Sequence, residues 1–491
     1  MASVPKRSIT FFRLSPAEQI DASCFGVEQG KVPQRSDVNF WRITPFLEER
    51  FAHSLFTPRQ FGELVLTVQY GSSALAKSEP PGIPILRMSN LQDDGWDLSD
   101  VKYIELTDRQ FETYKLNPGD IIFNRTNSKE LVGKCEVFNE SGDWVFASYL
   151  IRVCTNEQLL DPQFASDFLS TSTGRLQIDR FSRQIIGMTN INAEEIRHLL
   201  IPLPPLDGQH ELVAAMDEAR SQRRQKLAEA DILFSSLDDF ILDSLSIRLP
   251  SPDAREIYAT RLSQMLGDRI DAYSNKPYFQ ELFATIQSSY HCVVALSVLS
   301  ERIFSGTTPL AKGNAYVEPP NGVRFVRSGE ITSEGSVTPT SAVHVSNEIH
   351  DGKMRSSQLQ QGDVLIAIVG ATIGAVGVYE FDTPANINQA IAAVRLGSNE
   401  VLSEYVCWYL RSSIGQRLLD YFKRPVARAN INLSEVGAIP IIIPPSEVQE
   451  RIITEVHNRR SEAQGLRVEA QAEWHEAKRW FEEQLLGSVP I

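Results

Sequence analysis

The chain has 491 residues, 42% hydrophobic and 22% charged, with a formal net charge of −14. That length predicts two to four domains of roughly 100–200 residues, and the longest apolar runs, near 293–299 and 439–443, fall short of the roughly 18 residues of a membrane span. The acidity counts against broad nucleic-acid binding, which needs Lys and Arg against phosphate, although a locally basic face on an acidic protein remains compatible with it.

Residues 1–13 carry Lys6 and Arg7 without a following apolar stretch, so no signal peptide is expected. The five cysteines, Cys24, Cys135, Cys154, Cys292 and Cys407, show no Cys-x-x-Cys spacing, which argues against a zinc site or disulfide framework and for a cytosolic chain. Next come strand-like runs at 83–87, 120–123 and 145–153, with Gly119-Asp120 as a turn before the second. Asp161-Pro162 predicts a helix over 163–181. Asn192 with Glu195 three residues later predicts a capping box, and a strand over 199–201 ends at Pro204-Pro205. From there the chain runs to about residue 247 without another proline. Val213, Met216, Leu227, Ala230, Phe234, Leu237 and Ile241 recur at three and four spacing, the stripe of a packed helix.

The remainder repeats this order. Thr189-Asn190-Ile191-Asn192 returns as Ala429-Asn430-Ile431-Asn432, Pro204-Pro205 as Pro444-Pro445, and Gln209 as Gln449, each displaced by 240 positions. Gly82 and Arg87 match Gly322 and Arg327 at 240; Gly119-Asp120 and Arg152 match Gly362-Asp363 and Arg395 at 243; Ile20-Asp21-Ala22 matches Ile270-Asp271-Ala272 at 250. Gly174, Asp179, Phe181 and Arg183 match Gly415, Asp420, Phe422 and Arg424 at 241. Strands are expected at 324–327, 364–369, 390–396 and 439–443, a second capping box at Asn432 and Glu435, and a second stripe at Ile453, Val456, Arg467, Ala470, Trp474, Ala477 and Phe481. Two long copies make a tandem pair of domains and not a solenoid. About 40 helical residues give a rod of roughly 60 Å, more than one domain face needs, so the two helices are expected to pair antiparallel as spacers. The expected fold is α+β: two homologous β-rich domains over 1–203 and 249–443, spacer helices in 204–248 and 444–487, and pseudo-two-fold symmetry.

This order of an Ile-Pro-Ile-Leu-Arg strand, a Leu-x-x-Gly-Asp strand, the turn Gly187-Met188-Thr189-Asn190-Ile191-Asn192, a strand ending Pro-Pro-Leu before a Gln, and a long helix, all given twice, resembles the specificity subunit of type I restriction-modification systems. The similarity covers nearly the whole chain. Two departures stand out: the family's Pro-Pro-Leu-x-Glu-Gln is Pro204-Pro205-Leu206-Asp207-Gly208-Gln209 in one copy and Pro444-Pro445-Ser446-Glu447-Val448-Gln449 in the other, both without the Glu before Gln. The resemblance implies two target recognition domains, each reading half of a bipartite double-stranded DNA site, helices acting as a ruler, and recruitment of two methyltransferase subunits and of restriction-translocase subunits.

No catalysis, cofactor or metal is expected. The chain has no Asn-Pro-Pro-aromatic motif, phosphate loop or metal-ligand His pair. The glycines between Gly370 and Gly377 read as a β-hairpin turn, not a nucleotide cradle, and Asp120 and Asp363 as turn formers. Candidate DNA contacts are Arg125, Asn127 and Lys129, since Arg and Asn pair bidentately with guanine and adenine edges, with Arg180, Arg183, Lys423, Arg424 and Arg428 as phosphate anchors. A protein-interaction scaffold without a DNA role is the alternative that the net acidity favours; a fused nuclease or modification enzyme lacks its motifs.

Overall fold

The computed structural model describes residues 38–487, apart from 93–94, 130, 186–187, 252–257, 260–270, 310–314, 339–342, 399 and 425–428. Residues 20–22 and 270 of the repeat, Gly187 and Arg428 lie outside the described residues. The chain divides into two units, Met1–Lys226 with Val468–Ile491, and Leu227–Arg467.

The first unit is built on a four-stranded antiparallel sheet in the order Val65–Tyr70, Leu150–Thr155, Ile121–Asn124, Cys135–Val137. Strands expose alternate residues on opposite faces, and the continuous apolar run Ile121-Ile122-Phe123 is what a strand covered on both sides requires. Ile121 and Phe123 pack with Phe164, Phe168 and Ile151, whereas Ile122 packs with Phe138, Phe146 and Leu150. A smaller sheet sets Val145–Phe146 parallel to Ile83–Leu86, which also pairs with Lys102–Ile104. The second unit repeats the plan. Its main sheet runs Ser300–Ser305, Ile391–Leu396, Val364–Ala367, Val376–Val378, and Ala385–Ile387 lies parallel to Val323–Val326.

Two expected elements of the first unit are divided, and the second unit shows the same breaks. The run 145–153 is two strands in different sheets, Val145–Phe146 and Leu150–Thr155, turned at Ala147-Ser148-Tyr149; Ala385–Ile387 and Ile391–Leu396 part in the same way. The helix expected over 163–181 is Pro162–Ser170 followed by Ser172–Phe181. Thr171 ends the first helix and caps the second, its hydroxyl accepting from the Gly174 N–H at 3.3 Å. A side chain at Gly174 would sit 2.3 Å from the Phe168 carbonyl oxygen, so only glycine permits this fold-back. Ser412 and Gly415 occupy the same places between Ser403–Arg411 and Ser413–Phe422.

The long helices are Leu206–Ser244, 39 residues, and Ser446–Leu486, 41 residues. They pair within each unit. In the first, Arg220 lies 5.6 Å from the Trp474 ring, and Lys226 reaches Glu469 at 3.2 Å and Glu473 at 2.6 Å. In the second, Arg467 reaches Asp231 at 3.2 Å and lies over Phe234, while Arg459 bonds Ser236 at 2.7 Å and lies over Phe240. Numbers rise along one helix as they fall along the other, so the pairing is antiparallel. Met216, Ala230, Leu237, Ile241, Val456, Ala470, Trp474 and Phe481 are buried, and Val213, Leu227, Phe234, Ile453, Arg467 and Ala477 are half-buried. Met216, Trp474 and Phe481 join the core of the first unit, Leu237, Ile241 and Val456 that of the second.

Each long helix is anchored by its repeated glutamine. The fully buried Gln209 accepts from the Asp161 N–H at 2.8 Å and donates to the Leu159 and Pro204 carbonyls at 2.9 Å. Gln449 accepts from the Leu402 N–H at 3.0 Å and donates to the Glu400 and Pro444 carbonyls at 3.2 and 3.0 Å. A buried amide stays in place only when its donors and acceptor are used, which accounts for the spacing between the proline pair and the glutamine in both copies.

Candidate nucleic-acid interface

In the first unit the chain leaves the strand Ile121–Asn124, passes Arg125, and enters the short strand Thr126–Asn127. This strand joins Met188–Asn190 and Arg183–Ile185 in a small antiparallel sheet, with Asn127 opposite Thr189 and Arg183 opposite Asn190. Arg125, Asn127 and Arg183 are thereby brought together, and the exposed Lys129 follows in the next turn. The Thr126 hydroxyl is bonded to the Asn190 carboxamide.

The cations are differently placed. The Arg125 guanidinium stacks 4.7 Å from the Tyr70 ring centre. Arg183 stands 3.5 Å from Glu195, the acid of the Asn192 capping box. Arg180 lies 4.4 Å from the Phe40 ring. Asn127 uses its carbonyl oxygen on the Ser128 N–H at 2.8 Å, leaving its amide nitrogen for other partners. The exposed Tyr70 and Tyr149 neighbour this sheet, and the exposed Met188 belongs to it. Sequence reasoning missed these three; the sole signal was an aromatic closing the run Val65–Tyr70.

In the second unit the corresponding position is Ile368, and the loop that follows is a hairpin turn between Val364–Ala367 and Val376–Val378, with Gly370 and Gly374 at positive φ. Arg424 pairs with Glu435 at 3.1 Å, the counterpart of Arg183 with Glu195, and Glu435 again closes a capping box, here with Asn432. Lys423 is half-buried just before it.

The repeated aspartates close turns. Asp120 accepts from the Asn117 N–H and Asp363 from the Gln360 N–H, both at 2.8 Å. Each also meets the repeated arginine: Arg395 grips Asp363 at 2.8 and 2.9 Å, and Arg152 stands 3.7 Å from Asp120. The Asp363 carboxylate holds the Arg395 guanidinium above its ordinary pKa. Among the described residues no group of His, Cys, Asp and Glu could hold a metal ion, and no helix is long and apolar enough to cross a membrane.

A duplicated sheet framework whose corresponding loops differ, basic in one unit and apolar in the other, suits a protein that reads two unlike surfaces. The family described as the type I restriction modification DNA specificity domain matches residues 65–229 and again 303–458. The chain belongs to this family and is a type I restriction-modification specificity subunit with two DNA target recognition domains.

Among its relatives is the MjaX type I restriction enzyme specificity subunit of Methanocaldococcus jannaschii, 20% identical over 398 residues, which span 80% of this chain and 84% of the relative. The EcoBI specificity subunit of Escherichia coli is 22% identical over 62% of this chain and 60% of its own length. The EcoKI specificity subunit of Escherichia coli is 26% identical over 34% of this chain and 36% of its own. Alignment with the HsdS subunit of Thermoanaerobacter tengcongensis covers 88% of this chain and 97% of that one at 16% identity and a TM-score of 0.35. For the S subunit of M. genitalium the values are 88%, 96%, 12% and 0.37.

Proposed function

We propose that each unit reads one half of a bipartite duplex target and that the chain, itself non-catalytic and cytoplasmic, brings two methyltransferase subunits and restriction-translocase subunits to that target. One observation carries this: the same four-stranded framework occurs twice, with Arg125 in the loop of one copy and Ile368 at the corresponding place in the other. Identical framework with unlike contact residues is what two different half-sequences demand. The candidate contacts are Arg125, Asn127, Lys129, Arg180 and Arg183 in the first unit and Lys423, Arg424 and Arg428 in the second. The net charge of −14 makes local basic residues the means of phosphate contact.

The long helices supply the ruler. At 1.5 Å per residue, the 39 residues of Leu206–Ser244 extend about 58 Å, and their length sets the number of unread base pairs between the half-sites. A gel shift of the chain assembled with its methyltransferase subunits tests the reading. Duplex DNA is retained at low salt, with the logarithm of the affinity falling linearly with the logarithm of the salt concentration. Failure to retain any duplex overturns it.

A further inference from the structure

A DNA-reading assignment leaves open which side chain reads which base, and the surroundings of Arg125 answer for the first unit. The residue is held at both backbone groups: its N–H donates to the Tyr149 carbonyl at 3.0 Å, and its carbonyl accepts from the Ile191 N–H at 2.9 Å. Its side chain makes no hydrogen bond or ion pair among the described residues, and its Nε is enclosed without a partner. The neighbouring candidate Arg183 has a glutamate at 3.5 Å, and Arg424 of the second unit has one at 3.1 Å. In a chain of −14 net charge, an arginine without an acidic partner is conspicuous.

The guanidinium is nonetheless fixed. It stacks on Tyr70, whose hydroxyl accepts from the Ala193 N–H at 3.1 Å, so the ring is tied to the start of the helix Ala193–Arg197. A planar fork laid on an aromatic face loses little freedom when it forms a bidentate contact. Around it Tyr149 and Met188 are about half exposed, at 53% and 49%. At the corresponding position of the second unit Ile368 makes the same two backbone bonds, to Ala390 and Ile431, but is buried and apolar.

We infer that Arg125 reads a guanine, through its O6 and N7 edge, in the half-site of the first unit, and that Tyr70 is its positioning residue; the inference rests on the specificity reading above. Guanine is the base whose O6 and N7 edge takes such a fork bidentately; a phosphate accepts the same flat fork, and the salt dependence of binding separates the two. The second unit has no counterpart, so the guanine belongs to one half-site alone.

The test is to sequence the sites methylated by the chain assembled with its methyltransferase subunits, for the natural chain and for Arg125→Ala, Arg125→Lys and Tyr70→Leu. Arg125→Lys keeps the charge and the stem, and guards against a folding defect in the alanine variant. Both Arg125 variants are expected to accept other bases at one guanine of one half-site, with discrimination there falling about 5- to 150-fold and the other half-site unchanged. Tyr70→Leu relaxes the same position less, with the salt dependence of binding unaltered. An unchanged motif overturns the inference, as does an equal loss at all sites with a shallower salt dependence, which marks a phosphate contact. If the natural chain directs methylation to no two-part sequence, the specificity reading itself fails, and that result appears before any variant is made.

Discussion

Gln209 and Gln449 show how a repeated residue acquires its reason. Each is buried, uses every polar group of its amide, and ties the first turn of a long helix to the segment leading into an earlier helix of its own unit. Gln449→Ala strips partners from the Leu402 N–H and from the Glu400 and Pro444 carbonyls, and a loss of about 1–3 kcal/mol is expected, read as a lower denaturation midpoint of the second unit. Asp167 gives a pH signature in the first unit. Burial pushes its carboxyl up to about 7, although Arg220 at 2.5 Å pulls it down; Glu136 and Asp217 add to the rise. The folded carboxyl thus holds a proton that the unfolded one, near 3.8, releases. This contribution to stability is present below 3.8 and is lost as pH rises through about 7. Asp167→Asn removes it. Chemical denaturation of both proteins between pH 4 and 8 checks the sign, and a natural-chain stability rising across that window relative to the variant contradicts it.

At the scale of elements, burial ranks the helix contacts. Phe481 is fully buried, 5.6 Å from the Phe164 ring, so Phe481→Ala is expected to cost about 3–5 kcal/mol and to reduce hydrogen-exchange protection throughout the first unit. Lys226 touches Glu469 and Glu473 at the surface, and Lys226→Ala is expected to leave the denaturation midpoint nearly unchanged, since exposed ion pairs contribute little. What the sequence revealed about elements was what periodicity and local chemistry encode. The helix stripe follows from three and four spacing, and the Asn192 and Asn432 capping boxes from residues three apart. What it concealed depends on close approaches and sheet partners that no periodicity marks. The break at Thr171 needs the close approach of Gly174 to Phe168, and the break after Phe146 reflects two sheets claiming parts of one apolar run. The site shows the same division: Arg125 stood out by residue type, but Tyr70 lies 55 positions away in sequence and is joined to it only by the fold. Arg183 and Arg424, offered as anchors, stand beside the capping-box glutamates, which no local pattern announces.

For the whole molecule, duplication with divergence implies that the two readings are separable: the half-sites are expected to change independently when loops of one unit alone are altered. The central claim is that two recognition units on paired helices read two half-sites across a gap fixed by helix length. Its most direct measurement is the methylated motif before and after matched insertions of seven residues, two helical turns, between Lys226 and Leu227 and between Arg467 and Val468. Seven residues add about 10.5 Å, or about three base pairs at 3.4 Å each. The account predicts that both half-sequences persist and that the gap between them lengthens by about that number. Methylation of the original motif with its gap unchanged contradicts it.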